Sequence, residues 1–466
     1  MSERIETYNC RIGQKNADYY LSNTPEDLNV FIEKANQAHG SGALQSLEIR
    51  IQLLNLIIAK MEQNKEQLCS IYTDESSLSL VRFEQEFERT KLQIKAYCQA
   101  AIALVQQPIR NVLTDRVIEK LPLPVGPIAV FGASNFPLAY STLGGDVMGA
   151  LASGCPVIVK GHSLHAGTST LCANLIIESI EELSLHPGVF SHVLDTGFTL
   201  AQQLVKDHRI KGAAFTGSYF GGMALLSKMQ ERTEPIPFFA EMGSLNPLII
   251  LNSCSEIETT VTKIVDSITI DAGQFCTKPG LIFYPMELQD EILSKAKKAF
   301  ESADAHPMLH PSIKERYQNR LTSLENLPIM KSHIGVDKTY GIPRGFMAIN
   351  TETFNHHEAF HEEVFGPFCL MISYNDISEV IQSLSCISGQ LTGSIFGNVS
   401  RDSAIFETLS QQSGRIILNG VPTGVAPVEA MHHGGPFPSS TDSRFSAVGE
   451  ASILRFVRYV SIQQPH

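Results

Sequence analysis

Basic residues are scarce: 36 Lys and Arg against 48 Asp and Glu leave a formal net charge of −12 on a chain of 466 residues. A broad polyanion-binding surface is excluded, because neutralising many phosphates takes clustered Lys and Arg. A local pocket for one small phosphate is not. No CxxC pair occurs among the nine cysteines, whose number is odd and whose spacings are wide. That argues against a disulfide framework and a zinc ribbon, and it fits a reducing cytosol. No apolar run reaches about 18 residues, so no membrane span is expected. The N-terminal MSERIETYNCRIG has no apolar segment behind a basic start, so no secretory signal is expected. Tryptophan is missing altogether, and without a GxGxxG the common dinucleotide fingerprint is absent. These absences together predict a soluble, cytoplasmic protein that binds neither nucleic acid nor membrane.

What is present is apolar material in a regular order. Hydrophobic residues make up 43% of the chain, enough for large cores in two or more domains. The first hundred residues read as helical. In SNTPEDLNVFIEKANQA, Asn23 or Thr24 offers an N-cap and Pro25 takes the first turn. LSLVRFEQEFERTKLQIKAYCQAAIALV predicts a long helix with an apolar stripe of Leu80, Phe83, Phe87, Leu92 and Ile94. Then the pattern changes. PIAVF and CPVIVK read as buried strands, each followed by a helical stretch, PLAYSTLGGDVMGALASG (closed by Gly154) and GTSTLCANLIIESI. VFSHVLD and KGAAFTGS continue the alternation. This order predicts a parallel α/β sheet, with ligands at the carboxyl ends of its strands. A second α/β unit begins near residue 241, with strands in NPLIILN, GLIFYP, EEVFGPFCLMISY and RIILNG. The tail, ILRFVRYVSIQQ, is strand-like, and an apolar terminal strand often pairs across a subunit.

Three side chains are candidates for chemistry. Cys276 lies in DAGQFCTKPG, among polar and turn-forming residues rather than in an apolar run. A thiol is a strong nucleophile whose free pKa of roughly 8.5 is lowered by positive dipoles. The plainer alternative is a buried structural cysteine, and local context leaves both open. Glu241, in FFAEMGSLNP, sits where apolar neighbours can raise a carboxylate pKa into the range of a general base. Its alternative is a strand- or helix-end carboxylate bound to backbone N–H groups. Asn135, in ASNFP, can donate to an oxyanion or simply cap a turn. In NHHEAFHEE, His357 and His361 have the i, i+4 spacing of a metal pair, with His356 beside them. The glutamate of HExxH is misplaced and no third ligand is near, so no metal is expected. His432 and His433 in MHHGGP read as loop-shaping residues.

Four motifs in order make the set specific: FTGS at 215–218, EMGSLNP at 241–247, GQFCT at 273–277 and EEVFGP at 362–367. In them the chain resembles the aldehyde dehydrogenase superfamily over nearly its whole length. FGASNFPLAYSTLGGDVMGALASGCPVIVKGHSLHAGTS, EPIPFFAEMGSLNP and GVPTGVAPVEAMHHGGPFPSSTDSR resemble the branch of NADP-preferring 2-oxoglutarate semialdehyde (2,5-dioxopentanoate) dehydrogenases, with a long-chain fatty aldehyde dehydrogenase as a cousin. Where many superfamily members have a tryptophan before the asparagine of the NFP turn, this chain has Ser134.

The resemblance implies two parallel-sheet α/β domains, a Rossmann-like cofactor domain and a catalytic domain, plus a small β oligomerisation arm. On this reading residues 1–240 bind cofactor, with 112–124 contributing to the arm. Residues 241–424 form the catalytic domain, 425–445 return to the cofactor domain, and 446–466 supply the arm's last strand. A homodimer or homotetramer is expected. Cys276 would attack the aldehyde, Asn135 and the Cys276 N–H would hold the oxyanion, and Glu241 would activate water. Lys160 would face the adenosine ribose, with His162 and Ser163 beside it. Ser163 stands where NAD-preferring relatives commonly have a ribose-binding glutamate, so NADP is favoured over NAD. Ser218 would meet the pyrophosphate at a helix N-terminus, Gly217 and Gly222 would permit close approach, and Glu363 and Phe365 would hold the nicotinamide ribose and ring. Rivals are an acylating dehydrogenase using coenzyme A, which usually lacks the base that Glu241 represents; a silent binding protein on the same fold; and a thiol hydrolase. A carboxylated semialdehyde needs a cation or several donors near the tunnel mouth, for which Arg444 in TDSR is one candidate and equally a structural arginine tying the loop down; a fatty aldehyde needs an apolar tunnel.

Overall fold

A computed structural model describes residues 2–106 and 109–465. Met1, Gln107, Pro108 and His466, which the expected divisions include, lie outside the described residues. A five-stranded parallel sheet has the spatial order Phe190–Val193, Val157–Lys160, Ile128–Phe131, Gly212–Thr216, Phe238–Glu241. The chain enters at the centre, builds outward on one side, then returns to build the other. The reversal between Ile128–Phe131 and Gly212–Thr216 is a topological switch point, where open α/β sheets leave a crevice. Its inner strands Ile128–Phe131 and Val157–Lys160 are apolar up to the terminal Lys160 because side chains on both faces are buried.

A seven-stranded sheet follows, in the order Lys331–Val336, Pro343–Asn350, Phe368–Tyr374, Leu281–Pro285, Pro247–Ile250, Gln390–Phe396, Ser413–Leu418. All its pairs are parallel except the first. Residues 242–246 alone join the last strand of the first sheet to Pro247–Ile250 of the second. The short link leads from the carboxyl end of one strand to the amino end of the next. The segments before Leu281–Pro285 and Phe368–Tyr374 therefore lie at the amino edge of the second sheet. Cys276 and Glu363 belong to these segments.

A third, antiparallel sheet pairs Val457–Pro465 with Arg116–Pro124, and that strand with Ile109–Val112. The C-terminal strand thus completes a hairpin of its own chain. The hairpin also begins before residue 112, the limit expected from the sequence. Residues 446–456 do not join this sheet: a 3-10 segment at Glu450–Phe456 packs inward, with Ile453 and Phe456 buried.

Two expectations for the first hundred residues are corrected. Residues Arg4–Asn9 and Gln14–Leu21 form an antiparallel hairpin, not helix. Its second strand, QKNADYYL, is solvent-facing along nearly its whole length, so no apolar alternation marks it. In the long helix Leu80–Gln106, Phe83, Phe87 and Ile94 are fully buried, but Leu80 and Leu92 face solvent. The buried face instead carries Arg82, Glu86 and Tyr97. The helix expected over PLAYSTLGGDVMGALASG is confined to Gly145–Ser153, with Gly154 left-handed at its end (φ 92).

Candidate active site

Three consecutive left-handed residues lead into the cysteine loop: Asp271 (φ 47), Ala272 (φ 54) and Gly273 (φ 67). For Asp and Ala this conformation costs on the order of 1–3 kcal/mol each, so surrounding contacts have to impose it. They do. Arg82 Nε donates to Asp271 Oδ2 at 2.9 Å, Gln274 Nε2 donates to the Asp271 carbonyl at 2.8 Å, and a Cβ on Gly273 would overlap the Gly366 carbonyl. Downstream, the fully buried Asn246 donates to the carbonyls of Cys276 (2.8 Å) and Lys278 (2.9 Å). The thiol is held by its own backbone.

Asn135 is brought to this loop by the turn after Ile128–Phe131. Its Nδ2 donates to the Gln274 carbonyl at 2.9 Å, two residues before Cys276, which leaves the second N–H of the amide available. The turn is fixed by Glu86, fully buried, which accepts from the Leu138 and Ala139 N–H groups at 2.8 Å each and from Tyr72 Oη at 2.7 Å. Arg82 stacks on Phe136, 4.2 Å from its ring centroid. One face of a single helix therefore positions both loops, with Arg82 on one and Glu86 on the other.

Glu241 ends the last strand of the first sheet, 5% exposed. His433 Nε2 lies 2.9 Å from Glu241 Oε1 and 3.8 Å from Cys276 Sγ. The ring is 2% exposed. Among the described residues no donor is aligned for a hydrogen bond to either Glu241 oxygen, so the 2.9 Å approach is a close contact rather than a formed hydrogen bond. His433 is thus the centre of the site rather than a loop-shaping residue. The return segment delivers it: Ser440 bridges Glu241, Met242 N donates to the Ser439 carbonyl at 2.8 Å, and His433 N donates to Ser446 Oγ at 3.0 Å. Burial pushes the Cys276 thiol well up, the Glu241 and Glu363 charges add to this, and Arg415 and Arg89 oppose it. Such a thiol needs an adjacent base to react at neutral pH. The imidazole stands 3.8 Å away.

The other named residues line the edges between the sheets. Lys160 ends Val157–Lys160, half-buried, with no carboxylate within ion-pair distance among the described residues. Burial lowers its pKa and Asp195 opposes that. His162 Nδ1 accepts from Leu164 N at 3.2 Å and stacks on His165, and Ser163 opens a 3-10 turn. Ser218 caps the helix Tyr219–Met229, which has no acidic residue in its first turn. Gly217 and Gly222 have no room for a Cβ against Phe215 (2.6 Å) and Met242 Sδ (2.5 Å), so both are needed for packing within the chain. Glu363 is tucked over Gly243 and accepts from the Ser244 N–H. Burial raises it to about 7, with Lys278 opposing. Phe365 is half-buried against the core. A lysine at a strand end and, across a switch point, a helix N-terminus without acidic residues form a donor set that suits a dinucleotide.

Two sequence candidates lie outside the site. The helix ends at His356, so His357 and His361 share no helical face; His361 Nε2 lies 2.9 Å from the Phe354 carbonyl. Arg444 forms a two-pronged pair with its neighbour Asp442 (2.8 and 2.6 Å), its side chain 79% exposed. The sequence does not mark Arg82, Glu86, Asn246 and His433 as site residues. The only local signal was charge on an apolar helix face, at Arg82 and Glu86.

Comparison with known proteins gives a consistent picture. A model described as the aldehyde dehydrogenase family matches residues 1–461. An alpha-ketoglutaric semialdehyde dehydrogenase of Acinetobacter baylyi is 33% identical over 98% of this chain and 90% of its own. Alpha-ketoglutaric semialdehyde dehydrogenase 2 of Azospirillum brasilense is 33% identical over 94% and 86%. Among solved structures, the glyceraldehyde-3-phosphate dehydrogenase GapN of Methanocaldococcus jannaschii, complexed with NADP, superposes with a TM-score of 0.86 over 100% of both chains at 17% identity.

Proposed function

The chain belongs to the aldehyde dehydrogenase family, and from that premise we propose that it oxidises 2-oxoglutarate semialdehyde to 2-oxoglutarate with NADP. The observation that carries the chemistry is the line of Cys276 Sγ, His433 Nε2 and Glu241 Oε1, whose ligand atoms all lie within 4.8 Å of one another. His433 Nε2 cannot serve both neighbours in one protonation state. Unprotonated, it takes the Cys276 proton as the sulfur attacks the aldehyde carbon; protonated, it donates to Glu241. The free N–H of Asn135 and the Cys276 N–H supply the oxyanion contacts of the thiohemiacetal. NADP, when bound, supplies the hydride acceptor that turns this adduct into a thioester. Glu241, with no aligned donor on either oxygen, then takes a proton from water as that water attacks the thioester, and the acid leaves with the Cys276 sulfur restored.

For the cofactor, Lys160, His162 and Ser163 are assigned to the adenosine ribose and its phosphate, Ser218 to the pyrophosphate, and Glu363 and Phe365 to the nicotinamide ribose and ring. The absence of a carboxylate at Ser163 supports NADP over NAD. The substrate reading rests on the names of the two relatives above. It is tested by initial rates of NADPH formation with 2-oxoglutarate semialdehyde and with decanal, in wild type and Cys276→Ala. A larger kcat/KM for the semialdehyde, lost in the variant, is expected. Preference for decanal would replace the substrate and keep the mechanism, and full activity in Cys276→Ala would overturn the mechanism.

A further inference from the structure

Two half-buried arginines near the site have no anionic partner among the described residues. Arg89, on the helix Leu80–Gln106, donates from Nη2 to Tyr140 Oη (2.8 Å) and from Nε to the Val425 carbonyl (3.0 Å). The Tyr140 ring lies 5.9 Å from that of His433, so Arg89 is one side chain removed from the imidazole. Arg415, on the strand Ser413–Leu418, donates from Nη1 to the Gly424 carbonyl (2.9 Å) and from Nη2 to the Pro422 carbonyl, and Nη1 lies 3.8 Å from Met431 Sδ. Both guanidinium groups thus grip the same loop, residues 422–425.

Their partners are all neutral. Among the described residues no carboxylate lies within 4.0 Å of either, whereas the buried Arg82 and Arg455 are matched by Asp271 (2.9 Å) and Asp146 (2.7 Å). Two like charges removed from water around one loop are unfavourable unless an anion completes them. Both charges also act on the Cys276 sulfur, favouring its ionised form. Each guanidinium has five N–H donors and uses two on these oxygens, so both retain donors for a carboxylate.

We propose that Arg89 and Arg415 form the subsite for the carboxylate end of a short, carboxylated aldehyde. The proposal rests on the aldehyde-oxidising reading above and names the residues that set its substrate class. An apolar alkyl tail in the same place would leave both cations facing hydrocarbon.

The test compares kcat/KM for glutarate semialdehyde and pentanal, matched in carbon number, in the NADP-loaded wild type, Arg89→Gln, Arg415→Gln and the two Arg→Lys variants. The ratio of the two values should fall about 10- to 100-fold in each Gln variant, the size of one charge-assisted hydrogen bond, and recover substantially with Lys. Arginines that only tie the loop down would slow both aldehydes alike, and an unchanged ratio overturns the proposal. So does a wild type with no preference for the carboxylated aldehyde. A second arm needs no turnover: glutarate should slow iodoacetamide alkylation of Cys276 in wild type but not in the Gln variants. Protection without aldehyde oxidation would sink the oxidation reading and keep the subsite. Oxidation without protection would sink the subsite alone.

Discussion

Replacing His433 with Gln separates the two bases of the site. The side chain is 2% exposed and its Nε2 is 3.8 Å from Cys276 Sγ, so Gln keeps the volume and a hydrogen-bonding group while removing the proton acceptor. Burial and the Glu241 and Glu363 charges hold the thiol well above its ordinary range. Loss of the base should therefore cost about 10²–10⁴-fold in rate, or roughly 3–5 kcal/mol in barrier. The assay is iodoacetamide alkylation of Cys276 followed between about pH 6 and 10, since reactivity tracks the thiolate. Wild type should react at neutral pH. His433→Gln should be about 100-fold slower there, a value at the low end of general-base effects, and should gain rate only as the medium becomes alkaline. Glu241→Gln should do the reverse in this assay. Removing a negative charge that raises the thiol speeds alkylation, while steady-state NADPH formation falls because the thioester is no longer hydrolysed. Superimposable profiles for wild type and His433→Gln would refute the relay. Slower alkylation in Glu241→Gln would show that the carboxylate, not the imidazole, is the base for sulfur.

Three further outcomes follow from the same geometry. Asn135→Ala should lower kcat by about 10²–10³-fold through loss of one oxyanion donor, with Cys276 alkylation largely retained; equal losses in both assays would mean that Asn135 only shapes the loop through Gln274. Gly273→Ala adds a Cβ against the Gly366 carbonyl at φ 67 and should lower Tm, by a strain of about 1–3 kcal/mol, together with activity; an unchanged melting curve would contradict the close packing of the two motif loops. Ser163→Glu should raise KM for NADP relative to NAD, because a carboxylate would repel the extra phosphate; an unchanged ratio of the two KM values would remove Ser163 from the ribose site.

Much of the site was legible because its requirements are local. GQFCT needs a glycine where φ is 67, a strand-to-helix turn needs its Ser218 cap, and a buried parallel strand needs an unbroken apolar run. Each of these leaves a mark within a few residues. The hairpin Arg4–Leu21 left little, since its second strand faces solvent and its first buries Ile5, Thr7 and Asn9, of which only Ile5 is apolar.

The alternation of strands and helices, the family motifs and the candidates Cys276, Glu241 and Asn135 are properties of short windows, and they can be read in order along the chain. The partners of those residues are not. His433 is separated from Cys276 by 157 positions, and Arg82 from Asp271 by 189. A histidine before a pair of glycines looks the same whether it shapes a loop or bridges a thiol and a carboxylate, because the difference lies in distance and burial. Arg444 had the right charge but found a neighbouring aspartate in water, while Arg89 and Arg415 were folded beside the site without one. Pairing, desolvation and pKa depend on what the fold brings within a few ångströms, and short windows of sequence do not contain that information.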